Sequence, residues 1–157
     1  MGLLLQGSTP CSICGQVIEA GVPAVVLPAF VWNDADALLP FNDASMHRTC
    51  FEAHPLRVQV EAALEELNRK TGPGRRKCAV CGSEVLDPDD YLMVPRLTDD
   101  VTSPAHRFNY THLHRSQVRE WRELGDLERI LEQFDTAGGW EGSVLRELLQ
   151  QLRQLSA

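Results

Sequence analysis

The chain has 157 residues, with 22 acidic against 15 basic side chains, a formal net charge of −7 and a sequence pI near 5.2. That balance argues against whole-protein attraction to nucleic acid or anionic lipid, and a hydrophobic share of 43% argues against extensive disorder. The longest apolar stretch, Val22 to Val31, is interrupted by Pro28 and is too short to span a bilayer.

Leu3, Leu4 and Leu5 follow Gly2 without a basic flank or a long apolar core, so no secretory signal is read there. Gln6 stands where a myristoylation motif requires Ser or Thr. In chain order, Cys11-Ser12-Ile13-Cys14-Gly15 forms a tight turn, and Val25-Val26-Leu27-Pro28 has the β-branched content of a strand in a hairpin. Residues 34–40 read as its loosely packed loop. A helix is expected to begin just before His47 with Ser45 as its cap, and Pro55 restarts it as a second helix. Leu56, Val60, Leu64 and Leu67 recur at helical spacing, with Glu65/Arg69 and Glu66/Lys70 as i,i+4 ion pairs on the exposed side. Thr71-Gly72-Pro73-Gly74 ends that helix and opens a basic linker, Arg75-Arg76-Lys77.

The second half reads similarly. Cys78-Ala79-Val80-Cys81-Gly82 is followed by the strand-like Tyr91-Leu92-Met93-Val94-Pro95 and a loop at 98–104. A helix is expected from His114 to Leu124, a break at Gly125, another helix over 126–134 and a turn at Gly138-Gly139. A final amphipathic helix covers Ser143 to Leu155 and is expected to pack on the rest of the chain. Trp121 is expected in the core, and Trp32 and Trp140 are candidates for exposed anchors of protein contacts.

The two halves align without a gap at an offset of 67 positions. The alignment pairs the two Cys-x-x-Cys-Gly turns and His47 with His114, and extends to Pro28/Pro95, Phe41-Asn42/Phe108-Asn109 and Arg48/Arg115. Cys11, Cys14, His47 and Cys50 then form a complete Cys3His set, the ligand chemistry of a closed, structural zinc site. Five cysteines would leave one over in a disulfide scheme, whereas two metal sites use three and two with no remainder. That usage fits a reducing compartment, and a soluble, cytoplasmic protein is expected.

These motifs resemble the treble-clef class of zinc finger over about residues 11–54 and again over 78–124. The resemblance implies that a knuckle and hairpin supply two ligands and the first turn of a helix the other two. It implies little about function, because the class includes ribosomal proteins, LIM- and RING-type interaction domains and HNH nucleases.

The second copy departs from the first at one ligand: Cys78, Cys81 and His114 are kept, but Gln117 answers Cys50 and is a poor zinc ligand. His112 is the favoured fourth donor, since residues i and i+2 of an extended chain share a face. His106, a bound water and loss of the metal from this copy are the alternatives. Asn109-Tyr110-Thr111-His112 faintly resembles an HNH motif, but the Asp-His dipeptide and the downstream Asn are absent.

The expected architecture is a small α+β protein of two tandem treble-clef-like zinc modules with C-terminal helices. Its parts are a first module over 1–71, a basic linker over 72–77, a second module over 78–124 and a helical segment over 125–157. The expected role is non-enzymatic, with two structural Zn2+ per chain. The protein would act as an adapter or as an inhibitor of the immunity type, on another protein that is itself basic. The alternatives are nucleic-acid binding through Arg69-Lys70 and Arg75-Arg76-Lys77, and an HNH-like nuclease or zinc hydrolase at the second site.

Overall fold

A computed structural model describes residues 4–157, so Gly2 and Leu3, read above for a targeting signal, lie outside the described residues. The chain divides into two compact units, Met1–Val31 with Asp36–Glu65, and Trp32–Ala35 with Glu66–Ala157.

The first unit opens on the knuckle. Pro10 and Val17 bridge antiparallel, the Cys11 N–H donates to the Gln16 carbonyl at 2.8 Å, and the Gly15 N–H donates to the Cys11 carbonyl at 2.9 Å. Gly15 adopts φ +74°, the left-handed conformation this turn needs and a side chain would resist. Strand β1 (Ala24–Val26) then pairs antiparallel with β2 (Ser45–His47), Ala24 opposite His47.

The long connection between these strands is organised by one side chain. Asn42 Oδ1 accepts from the N–H groups of Phe30 (2.7 Å) and Val31 (3.0 Å), while Nδ2 donates to the Val31 carbonyl (2.9 Å). A short 3-10 turn, Leu39–Phe41, buries Phe41 edge-on against Phe51 and His54. Leu38 is buried as well, so the 34–40 loop contributes to the core instead of lying loosely over it.

Helix α1 (Arg48–Glu52) follows β2 directly. The expected helix start before His47 is therefore corrected: Ser45 is a buried strand residue, and His47 is extended at φ −59°, ψ 138°. Pairing with β1 supplies the backbone partners that a helical turn would otherwise provide. Helix α2 (Arg57–Thr71) begins after Pro55 and buries Val60 and Ala63.

The expected i,i+4 pairs on α2 do not form. Glu66 instead approaches Arg96 (4.0 Å) and His106 (3.7 Å) and accepts from Asn109 Nδ2 (3.4 Å), all within the second unit. The ion pair that does form along the helix is Arg57–Glu61, at 2.8 Å.

In the second unit, the Cys78 N–H donates to the Ser83 carbonyl and the Gly82 N–H to the Cys78 carbonyl, both at 2.8 Å, with Gly82 at φ +76°. Strand β3 (Tyr91–Met93) pairs antiparallel with β4 (His112–His114), Tyr91 opposite His114. Asn109 Oδ1 accepts from the N–H groups of Leu97 (2.7 Å) and Thr98 (3.4 Å), and Nδ2 donates to the Thr98 carbonyl (2.7 Å). A 3-10 turn spans His106–Phe108. Each of these features stands 67 positions after its counterpart in the first unit. The residue after each asparagine, Asp43 or Tyr110, has a positive φ (49° and 55°), a conformation costly for a side chain and held by the asparagine bonds beside it.

After β4 the pattern changes. The expected helix from His114 to Leu124 is a 3-10 turn, Arg115–Glu120, ended by Trp121 in extended conformation. Helix α3 (Leu124–Ala137) runs through Gly125, where a break was expected, and closes at Gly138 with φ +69°. Gly125 sits in the first turn of α3, where backbone N–H groups lack intrahelical partners in any case, and Leu127, Ile130 and Leu131 bury the helix beyond it. Helix α4 (Val144–Ser156) lays Leu145, Leu148, Leu149 and Leu152 into the same core as α3, Leu113 and Val118. Trp121 is buried edge-on to Phe108 at 5.8 Å, and Trp140 is buried beside Phe134. Trp32 is half-buried, edge-on to Tyr110 at 5.9 Å, so neither Trp32 nor Trp140 stands out as an exposed anchor.

Asn109→Ala is expected to destabilise the second unit by about 1–3 kcal/mol, because it leaves the buried N–H of Leu97 and the half-buried backbone of Thr98 unpaired. Urea unfolding followed through tryptophan fluorescence measures it; an unchanged midpoint would show that the bonds carry no net stability.

Candidate metal centres

Cys11, Cys14, His47 and Cys50 place one donor atom each within 4.8 Å of one another. The knuckle turn supplies the first two, the end of β2 the third and the first turn of α1 the fourth. His47 Nδ1 lies 3.5 Å from Cys14 Sγ and 3.8 Å from Cys50 Sγ. The His47 N–H donates to Cys11 Sγ at 3.4 Å, tying the strand to the sulfur it faces.

Electrostatics set the thiols apart. Burial pushes the Cys11 thiol up, but N–H groups of Cys14, His47 and Ile13 outweigh it and bring Cys11 down to about 6. Cys50 is pushed up to about 11 by desolvation and by the neighbouring sulfurs of Cys14 and Cys11. The cluster thus favours one thiolate and resists the next, a conflict that a cation among the sulfurs removes. Soft thiolates with one imidazole in a four-donor set match the tetrahedral preference of a metal ion such as zinc.

In the second unit, Cys78, Cys81 and His114 likewise bring three donor atoms within 4.8 Å of one another. His114 Nδ1 is 3.7 Å from Cys81 Sγ, and the His114 N–H donates to Cys78 Sγ at 3.4 Å. Burial pushes the Cys78 thiol up, yet the N–H groups of His114, Cys81 and Val80 bring it down on balance. Cys81 is lowered chiefly by the Ser83 side chain, whose Oγ lies 2.8 Å away. Ser83 was not singled out from the sequence, although its place directly after Cys-x-x-Cys-Gly marks it. Gln117 stands beside this cluster, its Oε1 3.3 Å from Cys78 Sγ and accepting from the thiol.

The structure does not bring His112 to these three donors. Its Nε2–H donates to the Lys70 carbonyl at 3.0 Å, which leaves Nδ1 to accept from the Tyr91 hydroxyl at 2.8 Å. Burial is the main force lowering its pKa, so the ring is held neutral as a clamp between β4 and the end of α2. His106, the other candidate, faces Glu66. The i,i+2 argument placed His112 on the correct strand but could not foresee that its ring would be spent on partners distant in sequence.

Comparison of the chain with protein-family models, with curated proteins and with solved structures gave no significant match. Geometry and donor chemistry therefore carry the functional reading. No helix among the described residues is long and apolar enough to cross a membrane.

His112→Ala is expected to cost about 1–3 kcal/mol, by unpairing the Lys70 carbonyl and the Tyr91 hydroxyl, while leaving the metal content per chain unchanged. Elemental analysis of the purified variant checks this; loss of one metal equivalent would instead make His112 a ligand.

Metal binding at the first cluster is expected to weaken as pH falls. Binding displaces the Cys50 proton at any pH below about 11 and additionally the Cys11 proton below about 6, so the affinity curve steepens through that value. Competition titrations with a chelator from pH 5 to 8, a window spanning the Cys11 value of about 6, report the slope; a flat profile would contradict the assignment of thiolate ligands.

Proposed function

We propose that the chain is a non-enzymatic zinc protein acting through protein–protein contacts, with both Cys/His clusters holding structural Zn2+ in two copies of a treble-clef-like module. The observation that carries this reading is the complete Cys3His set of the first cluster, which fills a tetrahedral zinc ion and leaves no position for a reacting water. The recurrence of knuckle, strand pair and asparagine-held connection at the 67-residue offset supports common descent of the two modules.

The second cluster would hold zinc through Cys78, Cys81 and His114, with Gln117 beside the remaining position. Zinc bound there could polarise a water, yet the neighbouring groups give hydrolysis little support. Asp90, held below the usual carboxylate range chiefly by the Ser116 N–H, already accepts from that N–H (2.8 Å) and from the Ser116 hydroxyl (2.9 Å). Ser83 is engaged with Cys81, and the ring of His112 with Tyr91 and Lys70. An HNH-like nuclease or hydrolase is the weaker reading for that reason.

An interaction role draws support from the first unit, which exposes Leu5, Val17, Val22 and Val26 on or near the knuckle and β1. A contiguous apolar patch is the usual mark of a surface that another protein covers, and these four side chains are the candidates for one. A basic partner fits the net charge of −7.

Capture of partners from the source cell, with half the sample treated with nuclease, tests the reading. A partner that survives nuclease and is lost with Val17→Glu plus Val26→Glu, at unchanged zinc content, is the expected result. Partners that all vanish with nuclease would favour the nucleic-acid reading instead.

A further inference from the structure

One concentration of charge belongs to neither metal cluster. In the second unit a depression of about 440 Å³ is lined by Arg69 and Lys70 at the end of α2, Arg75 and Lys77 from the loop that follows, and Thr111 and His112 at the start of β4. No acidic residue lines it. Between Leu67 and Ser83 the chain carries five cations and no carboxylate, in a protein whose net charge is −7.

Among the described residues, these four cations also lack counter-ions. Arg57, Arg107, Arg129, Arg146 and Arg153 each have a carboxylate within 4.0 Å, whereas among the described residues none lies that close to Arg69, Lys70, Arg75 or Lys77. The carboxylate best placed along the helix to neutralise Lys70, that of Glu66, is turned to Arg96 and His106. The helix dipole accounts for part of the arrangement, since cations in a last turn offset its negative end. It does not account for Arg75 and Lys77, which lie beyond Thr71, nor for the Lys70 carbonyl, which His112 already satisfies.

We propose that this depression is a binding site for the phosphate group of a small, nucleotide-sized ligand. Arginine and lysine side chains lining one concavity carry the guanidinium and ammonium donors that a phosphate's oxygens require. The volume falls within the roughly 300–1,000 Å³ range of small-molecule sites. The aromatic side chain lining it, Tyr110, is 1% exposed and offers no face for stacking, so recognition is of the phosphate and not of a base. A long polyanion would in addition meet the repulsion of the acidic remainder of the chain, which a small ligand avoids.

The test uses the full, zinc-loaded chain labelled with 15N, at low salt. It is titrated separately with adenosine monophosphate, with adenosine and with a short single-stranded oligonucleotide. Adenosine monophosphate is expected to give saturable amide shifts centred on Arg75, Lys77, Ala79 and Thr111, and adenosine none. Arg75→Ala plus Lys77→Ala should weaken binding about tenfold or more, as loss of two charge-assisted contacts implies. Arg119→Ala plus Arg122→Ala, cations outside the depression, should not change it. Should the first double variant lose its dispersed spectrum, Lys77→Gln alone is titrated instead. The proposal is overturned by an absence of shifts with adenosine monophosphate, by equal weakening in the Arg119/Arg122 control, or by binding of the oligonucleotide alone.

Discussion

Each unit depends on a bond between a strand amide and a knuckle sulfur. The N–H of His47 reaches Cys11 Sγ at 3.4 Å, and that of His114 reaches Cys78 Sγ at the same distance. The bond couples two things a small unit must otherwise fix separately: the register of the strand pair and the position of the imidazole. With His47 opposite Ala24 and His114 opposite Tyr91, the last residue of β2 or β4 faces the turn holding both cysteines. The same N–H lowers the sulfur's proton affinity, so the contact that sets the architecture also prepares the ligand.

What the sequence reveals follows from range. The Cys-x-x-Cys-Gly turns, His47 with Cys50, the leucine periodicity of α4 and the glycine after α3 are local devices, and the structure places each near where spacing puts it. Three readings depended on distant partners and were not legible. Ser45 resembles a helix cap until β1 claims it as a strand. Glu66 resembles half of an i,i+4 pair until Arg96, His106 and Asn109 turn it away. His112 resembles a ligand until Lys70 and Tyr91 occupy both ring nitrogens. Asn42 and Asn109 were visible as a matched pair, but their task of binding three backbone groups each appears only in three dimensions.

The two clusters diverge where the backbone does. After β2 the chain enters an α-helical turn that swings Cys50 Sγ toward His47. After β4 it enters a 3-10 turn, and the amide of Gln117 rests against Cys78. A dication held by three thiolates and a neutral imidazole carries a net charge of −1, whereas two thiolates and an imidazole leave it neutral. The first centre would add to the acidity of its unit, and the second would not.

The first cluster also joins two unlike supports. A cation arriving there meets Cys11 already inclined to be a thiolate, on a turn that backbone bonds hold in shape. Cys50, whose thiol desolvation and the neighbouring sulfurs push up to about 11, is carried instead by the five-residue helix α1. An ion held by all four donors would therefore tie α1 to the knuckle, a cross-link between segments far apart in the sequence. The second unit, with glutamine at the corresponding place, has no thiol there to complete such a tie.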